Sequence, residues 1–398
     1  MMTRRKSLSS LAACGALGIA SIPLVPENLS IAAVRPPPPP SPWTPLNFLI
    51  DATDPSFGTI DTPANTTATF QNALAYCFGS VQNPHGSNGA TTNKVLMIPP
   101  GYFRITAPLQ IQYLHGGRII GAGRDDTIIE NISGGDVIHT NGCGYSHFEG
   151  MLLKTSGGES ACFNLDWDGS QGGAALQSNT FSNMHFAGGG YGVLIGDGGF
   201  MGSENLFLNC YFVGCTKAGL CTANFNALSQ TVIGGNARNN GTGILVDAGS
   251  VPAIIGVGFQ SQTGFDIDIR NTAYDTYTIS GCRTESANFA SFGQNIQQAG
   301  IRDCSQRASV GGWFLSGSGM FEVSHCYSHM GQIAVGNDAA ITISGSLFQR
   351  NDWFANFGQG PNAVIEIEKS RFGNPWTQIA KQRITSAGKF NYTVTPVA

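Results

Sequence analysis

Several carboxyl side chains follow short strand-like segments, in positions where they could carry acid–base chemistry. Asp168 belongs to the motif LDWDGS, Asp197 to GDGG and Asp247 to LVDAG, and Glu204 lies between the last two. Two carboxyl groups separated by about 5 to 10 Å can hydrolyse a glycosidic bond. Such a group could also hold Ca²⁺, or its members could bind backbone N–H groups at turns. All four residues are therefore catalytic candidates, and the metal-binding and structural interpretations stay open.

A second candidate group combines basic and acidic side chains. In the motif CRTES, Arg283 and Glu285 point to the same side of a strand, with Arg238 and Arg307 on nearby segments. An arginine flanked by other cations can abstract the proton next to a uronic acid carboxylate, which leads to β-elimination. Arg283 and Glu285 could instead form an ion pair with each other. Elimination by these two residues is thus the alternative to hydrolysis by the carboxyl group.

The segments that carry these residues recur at a nearly constant interval. TISGC, GIRDC, EVSHC and TISGS end at Cys282, Cys304, Cys326 and Ser346, at intervals of 22, 22 and 20 residues. Apolar and polar residues alternate within each segment, so one face is buried. A repeat of this length, without a helical period, predicts an all-β fold: a single right-handed parallel β-helix. Chance alternation in a β-sandwich is the alternative. The cysteines are expected to stack inward as thiols rather than disulfides.

Alignment of the segments predicts polar columns on the outer surface of the β-helix. Tyrosine rings stack on sugars, while arginine, asparagine and aspartate bind hydroxyl and carboxylate groups. An extended groove that follows a polymer is the functional interpretation, and an ordinary polar solenoid face is the structural one. The predicted substrate-binding residues are His185, Tyr211, Asn236, Arg238, Asp303, His325 and Tyr327.

The chain divides into five predicted segments. Residues 1–33 resemble a twin-arginine export signal, with a possible lipidation site at Cys14, and residues 34–45 form a proline-rich linker. Residues 46–93 form an N-terminal cap with one amphipathic helix, whose N-cap is Thr66 or Thr67. The β-helix occupies residues 94–375, and residues 376–398 close its far end. The protein is expected to be secreted or periplasmic, bacterial, and free of the membrane once the signal is removed.

Composition restricts the partners of the protein. Charged residues make up 12% of the chain, the net charge is −4 and the sequence pI is about 6.0. No basic surface for nucleic acid is therefore expected. Glycine accounts for 53 of 398 residues, which suits a fold with many tight corners. A polysaccharide, with or without uronic acid, is the expected partner of a monomer or homotrimer.

The N-terminal region resembles the opening of the pectate lyase superfamily of β-helix proteins. The similarity lies in NTTATFQ (65–71), IPPGYFRI (98–105), PL (108–109) and GAGRDDTI (121–128). It implies a β-helix that binds an extracellular polysaccharide and cleaves it as a glycoside hydrolase or polysaccharide lyase. A similar opening occurs in tailspike-like proteins, so a non-catalytic, glycan-binding or adhesin-like protein is the alternative.

Cofactor requirements follow from the same resemblance. No metal-spaced His/Cys motif is present, so no metal site is predicted, although Ca²⁺ is possible if the protein is a lyase. The NTD, DD, GHG and RIK motifs of polygalacturonases are also missing from the sequence. Hydrolysis of pectin by that particular set of residues is therefore not expected.

Overall fold

The computed structural model shows a parallel β-solenoid whose described part belongs to one compact unit, Asn47–Ala398. The described residues are 49–80, 83–84, 94–169, 176–197, 202–271, 276–293, 296, 298–336, 339–350, 352–357, 364–373 and 377–385. The predicted export signal (1–33) and linker (34–45) lie outside them. No helix among the described residues is long and apolar enough to cross a membrane.

Each coil contributes one strand to each of three faces, called A, B and C in chain order, and the coils are right-handed. Strands on each face pair in parallel with those of the coils before and after. Face A comprises Val95–Ile98, Arg118–Gly121, His147–Glu149, Thr180–Ser182, Leu206–Leu208, Thr231–Ile233, Ala253–Ile255, Thr276–Ser280, Gln298–Arg302, Met320–Ser324 and Ala340–Ser344. Face B comprises Gly101–Ile105, Thr127–Asn131, Leu152–Thr155, His185–Gly188, Tyr211–Val213, Asn236–Arg238, Gly258–Gln260, Arg283–Thr284, Ser305–Gln306, Tyr327–Ser328 and Leu347–Phe348.

Face C is a sheet of 11 strands, one for each coil. It comprises Leu109–His115, Ile138–Gly144, Ala161–Asp166, Tyr191–Ile195, Ala218–Ala223, Thr242–Ala248, Phe265–Ile269, Asn288–Phe292, Gly312–Gly317, Gly331–Val335 and Phe354–Phe357. The coils are numbered 1 to 11 from the N-terminal end. Consecutive coils are separated by about 4.8 Å, the usual distance between paired strands.

Stacked aromatic and aliphatic side chains fill the interior of the solenoid. Phe148, Phe181 and Phe207 lie on consecutive coils, with ring centroids 5.1 and 4.9 Å apart and planes within 13° of parallel. All three side chains are fully buried, and each contributes about 1.5 to 3 kcal/mol of transfer free energy. The predicted β-helix is therefore confirmed, with a continuous apolar core.

The predicted inward cysteine column is also confirmed. Cys282, Cys304 and Cys326 are each at most 2% exposed, and Cys210 occupies the same position on an earlier coil. All nine cysteines among the described residues are free thiols. The small, weakly polar cysteine side chain fits the narrow corner between faces A and B.

A single residue with positive φ joins faces A and B on most coils. The prediction placed Asp303 and His325 in an outward-facing strand column, and that detail is wrong, because both occupy this corner with φ of 54°. Glycine, asparagine and aspartate tolerate this conformation best, and they occupy seven of the nine positions in the column. Its members are Asn183, Asn209, Gly234, Gly256, Gly281, Asp303, His325, Gly345 and Lys369.

One helix, Pro63–Phe78, covers the N-terminal end of the solenoid. It begins earlier than predicted: Thr62, rather than Thr66 or Thr67, is the N-cap, and its side chain accepts a hydrogen bond from the Asn65 N–H. Pro63 fixes this start, because proline is favoured at the first helical position and lacks an N–H. The strand Leu49–Asp51 then extends face A beyond coil 1.

A pair of longer strands lies at the C-terminal end. Val364–Phe372 spans faces A and B above coil 11, and Thr377–Thr385 pairs with it in antiparallel orientation. A reversed strand ends the series of parallel coils, because it covers the hydrogen-bonding edge that a further coil would need.

Candidate functional site

Polar side chains cluster along face C on coils 2 to 4. We call this group the acidic edge; it consists of Asp136, His139, Asn141, Asp166, Asp168 and Asp197. On face C, His139 is in register with Asn164, and Asn141 with Asp166. Asp168 and Asp197 follow the strands of coils 3 and 4. The stacking of coils therefore assembles residues that are up to 61 positions apart in the sequence.

His139 and Asp136 form a hydrogen-bonded dyad. The His139 Nδ1 lies 3.0 Å from Asp136 Oδ2. Asp136 is fixed by two further donors, the Ala161 N–H at 2.7 Å and Asn164 Nδ2 at 3.1 Å. Burial opposes ionisation of Asp136, but these three hydrogen bonds outweigh it and hold its pKa below the usual value. The carboxylate is thus stabilised in its charged form.

The electrostatic environment of His139 favours the imidazolium form. The hydrogen bond to Asp136 raises the pKa of His139 above its usual value, and burial opposes this shift. The charges of Asp136, Asp166 and Asp197 raise the pKa further. About a third of the His139 side chain remains exposed. The group therefore keeps its proton to a higher pH than an ordinary histidine does, and it can still reach a bound ligand.

The remaining carboxyl groups of the acidic edge lie next to this dyad. Asp168 is held by Asn141, whose Nδ2 donates to Asp168 Oδ2 at 2.9 Å and whose Oδ1 accepts from the Asp168 N–H at 3.0 Å. Asp166 accepts a hydrogen bond from the Trp167 N–H at 2.7 Å. Asp197 is exposed and lies two residues beyond the end of its strand. Charged, hydrogen-bonding and exposed carboxyl groups thus surround one histidine.

An exposed aromatic ring borders the acidic edge. Tyr145 lies at the corner that follows Asn141, with positive φ and 54% of its side chain exposed. Its ring packs edge-on against His115, with centroids 5.2 Å apart, and its hydroxyl accepts a hydrogen bond from Gln177 Nε2 at 2.5 Å. A fixed, exposed ring beside polar groups is suited to stack on a sugar.

Two of the predicted carboxyl groups lie further away. Glu204 lies at the corner before the face A strand of coil 5, with φ of 60°. Its Oε2 accepts a hydrogen bond from Ser178 Oγ at 3.1 Å. Asp247 lies on coil 6, two coils or about 10 Å beyond Asp197, and pairs with Arg270 at 3.5 Å. Asp168 and Asp197 therefore follow neighbouring strands of face C, while Asp247 has a separate ionic partner.

The predicted Arg283 and Glu285 pair lies on a different face. Arg283 Nη2 is 2.8 Å from Glu285 Oε1, and Gln260 Nε2 donates to Glu285 Oε2 at 3.2 Å. Coil 8 carries this pair on face B, four coils from Asp197, which corresponds to about 19 Å along the axis. The arginine and the acidic edge therefore cannot act in one catalytic step.

The predicted outer column of face B has the expected register. The predicted members are His185, Tyr211, Asn236, Gly258, Arg283, Ser305, Tyr327, Leu347 and Arg371. The register extends the column to Leu152, Ile128 and Tyr102 on the three preceding coils. Within it, the Arg124 guanidinium lies 3.8 Å above the Tyr211 ring, and His185 Nδ1 lies 3.6 Å from Asp125 Oδ1. Burial lowers the pKa of His185 and opposes its charging. The Tyr327 hydroxyl donates to Gln349 Oε1 at 3.0 Å.

The other predicted binding residues are spread along the same side of the solenoid. Asn236 and Arg238 lie on the strand of coil 6, next to Tyr211 and Val213 respectively. Asp303 and His325 are exposed at the corner between faces A and B, with Asp303 Oδ1 and His325 Nδ1 4.0 Å apart. These residues lie on face B or at the corner between faces A and B, whereas the acidic edge lies on face C. The predicted binding column and the acidic edge are thus two different surfaces.

Sequence analysis missed the dyad of the acidic edge. Asp136 and His139 lie in DVIHTN, which contains neither a catalytic motif nor the cysteine-ended repeat. The register of face C is the feature that indicates them, because it pairs His139 with the outward-facing Asn164, two residues before Asp166. A register for face C, in addition to that for face B, would have shown it. Among the described residues, no group of three or more His, Cys, Asp or Glu side chains is arranged to hold a metal ion.

The sequence matches no family of known proteins and no curated relative. Solved structures with a similar fold include ORF18 of Geobacillus virus E2 (15% identity, TM-score 0.45, 82% of this chain and 62% of that one). The Dettilon tailspike protein is 12% identical, with a TM-score of 0.47 and the same two coverages. The catalytic unit of a thermostable α-1,3-glucanase from Streptomyces thermodiastaticus is 14% identical, with a TM-score of 0.45, covering 81% of this chain and 67% of that one.

These comparisons concern the fold. The chain spans less than two thirds of the length of the first two structures. The substrates and assemblies of those proteins are not transferred to the present chain. Any activity of the present chain has to be inferred from its own side chains.

Proposed function

We propose that the protein hydrolyses a polysaccharide at the acidic edge. The observation that carries this proposal is the His139–Asp136 dyad, which lies within the electrostatic reach of Asp166 and Asp197 on the two following coils. Glycosidic hydrolysis needs one group that donates a proton and another that accepts one, held on either side of the bond. A histidine kept protonated among carboxyl groups meets this requirement.

The proposed reaction assigns one role to each group. The His139 imidazolium donates its proton to the glycosidic oxygen as the bond from that oxygen to the anomeric carbon breaks. Asp197 accepts a proton from the water molecule whose oxygen attacks the same carbon. Asp136 stabilises the imidazolium, and Asn141 positions Asp168 against the sugar. Tyr145 supplies the stacking surface.

The test is turnover on a panel of neutral and uronic acid polysaccharides. New reducing ends without unsaturated products indicate hydrolysis, whereas ultraviolet-absorbing unsaturated ends indicate elimination. We expect His139→Gln and Asp197→Asn each to lower kcat by about 100-fold or more. Asp352→Asn is the matched control, because this exposed aspartate pairs with Arg350 on coil 11. Unsaturated products, or full turnover by both variants of the acidic edge, would refute the proposal.

A binding-only function is the second candidate. The observation that favours it is the Arg124–Tyr211–His185 arrangement on face B, which presents an aromatic ring and a cation on the outer surface. Glycan binding without any new reducing end, and with loss of binding in Tyr211→Ala, would support this candidate over hydrolysis.

We also propose that the protein acts outside the cytoplasm. The basic start of the sequence and the uncharged run that follows it support this proposal. Expression of the full chain with and without residues 1–33, followed by immunoblotting of cell fractions, tests it. Equal retention of both forms in the cytoplasm would contradict it.

A further inference from the structure

A cavity of about 560 Å³ opens between the start of the cap helix and coil 1. This volume lies within the range of small-ligand sites, about 300 to 1,000 Å³. Its wall combines exposed apolar side chains with a few charged groups, among them Ile60, Asp61, Pro63, Pro99, Tyr102 and Arg104. None of these residues belongs to the acidic edge, and Tyr102 is the first residue of the outer column of face B.

The walls of this cavity are fixed before any ligand binds. Pro63 begins the cap helix, and Pro99 precedes the first strand of face B; proline restricts the backbone at both places. Tyr102 is 55% exposed, and its hydroxyl donates a hydrogen bond to Glu130, which in turn pairs with Lys154 at 2.9 Å. Ile60 is 46% exposed. The cavity therefore offers a ring and an aliphatic side chain that lose little entropy on binding.

The charged groups of the cavity balance each other. Asp61 Oδ1 already accepts hydrogen bonds from Thr59 Oγ1 and Asn65 Nδ2, both at 2.8 Å. The Arg104 side chain forms no hydrogen bond or ion pair with a described residue, although its charge lowers the pKa of nearby Glu130. One carboxyl group and one guanidinium thus face the same space. A ligand that both donates and accepts hydrogen bonds without net charge satisfies both groups, whereas an anion would be repelled by Asp61.

The cavity lies at the foot of the outer column of face B. Tyr102 is in register with Ile128, which is in register with Leu152, and Leu152 with His185. His185 is therefore three coils, or about 14 Å, from Tyr102. A ligand bound in the cavity can extend along face B toward Tyr211.

We propose that this cavity is a binding site for a neutral saccharide unit. Tyr102 and Ile60 pack against the apolar face of the sugar, Arg104 donates to its hydroxyl oxygens, and Asp61 accepts from its hydroxyl groups. The site anchors a polymer at the N-terminal end of the solenoid. It deepens the proposed function and rests on it, because the polymer held here is the one that the acidic edge cleaves.

Binding is measured by isothermal titration calorimetry on the full chain carrying Asp197→Asn. The probes are hexasaccharides of glucose, mannose and xylose, with hexagalacturonate as the anionic probe. We expect a neutral probe to bind, and Tyr102→Ala and Arg104→Gln each to raise its Kd about tenfold or more. Tyr102→Phe keeps the ring and should bind like the parent, which separates stacking from the hydrogen bond to Glu130.

Tyr76→Ala is the matched control. Tyr76 belongs to the same cap and is equally exposed at 54%, but it does not line the cavity. The Kd of the Tyr76→Ala variant for the neutral probe should stay within about twofold of the parent value. The inference is overturned if Tyr102→Ala binds the neutral probes like the parent, if none of them binds, or if hexagalacturonate binds more tightly. Cleavage by the parent chain is assayed separately, so failure of hydrolysis and failure of this site give different results.

Discussion

His139 owes its protonation behaviour to one carboxylate. Because the hydrogen bond to Asp136 raises the pKa of His139, activity that needs the imidazolium should be lost as pH rises through this pKa, which sets the alkaline limb of the pH profile. Asp136→Asn removes the charge and should move that alkaline limb of kcat/KM to lower pH. The pKa is measured independently by NMR titration of the imidazole.

Asp125→Asn is the control for this experiment. It neutralises an aspartate that contacts a different histidine, His185 on coil 4 of face B, and should leave the pH profile unchanged. An unshifted His139 titration in Asp136→Asn would show that the dyad does not set the proton affinity of the acidic edge.

Asp266 is a second titratable residue, buried in the interior of the solenoid. Its side chain is fully buried, its Oδ1 has no partner among the described residues, and its Oδ2 accepts a hydrogen bond from Thr284. Burial raises the pKa of Asp266 to about 7. The folded chain therefore binds more protons than the unfolded chain between about pH 4 and 7, and stability falls as pH rises through this window.

Asp266→Asn should remove this pH dependence. At pH 8 we expect the variant to exceed the parent in free energy of unfolding by up to about 4 kcal/mol, from roughly three pKa units at 1.36 kcal/mol each. Near pH 4 the two proteins should be equally stable. Urea denaturation at both pH values measures the difference, and a variant less stable than the parent at pH 8 would contradict the raised pKa.

The corner between faces A and B is the element that fixes the register of each coil. Gly234 and Gly235 both have positive φ, 66° and 80°. A Cβ at Gly234 would meet nothing nearer than 3.9 Å, whereas a Cβ at Gly235 would lie 2.0 Å from the Cys210 carbonyl oxygen. The two positions therefore share backbone strain and differ in steric clash.

Alanine at these two glycines separates the two effects. Gly234→Ala should cost about 1 to 2 kcal/mol, the cost of the left-handed conformation. Gly235→Ala should cost at least about 2 kcal/mol more, because the backbone of the neighbouring coil has to move. Thermal and urea unfolding of both variants give the comparison. Equal losses would mean that the corner relaxes freely.

At the scale of the whole molecule, the interior is closed to thiol reagents. All nine cysteines among the described residues are buried, and burial raises the pKa of Cys143 and Cys162 to about 12. Hydrogen bonds with Cys282 and Cys326 lower the pKa of Cys304, but this thiol is also buried and out of reach of a reagent. We expect none of these nine to react with a maleimide in the folded protein and all nine to react in guanidinium chloride, as counted by peptide mass spectrometry.

A reducing agent should not change the unfolding midpoint of the folded protein, because no disulfide among the described residues contributes to its stability. Rapid labelling of Cys282, Cys304 or Cys326 without denaturant would contradict the closed, inward cysteine column.

The solenoid and the register of face B were determined by the sequence alone. Alternation with a period of two and a repeat of 20 to 22 residues are local properties of the chain, and parallel stacking translates them directly into columns such as Tyr211–Asn236. The helix begins after Thr62, earlier than the apolar spacing predicts, because Pro63 favours the first helical position. Asp303 and His325 were misplaced because strand alternation does not reveal a corner with positive φ.

Only the tertiary structure decided which chemically active residues meet. His139, Asp166 and Asp197 come from three coils of unequal length, so their distance depends on how connecting segments adjust the stacking of face C. Arg283 and the acidic edge are similarly plausible as motifs but lie on different faces, about four coils apart. The sequence specifies the local repeat, whereas contacts between distant side chains depend on how the coils stack around a common axis.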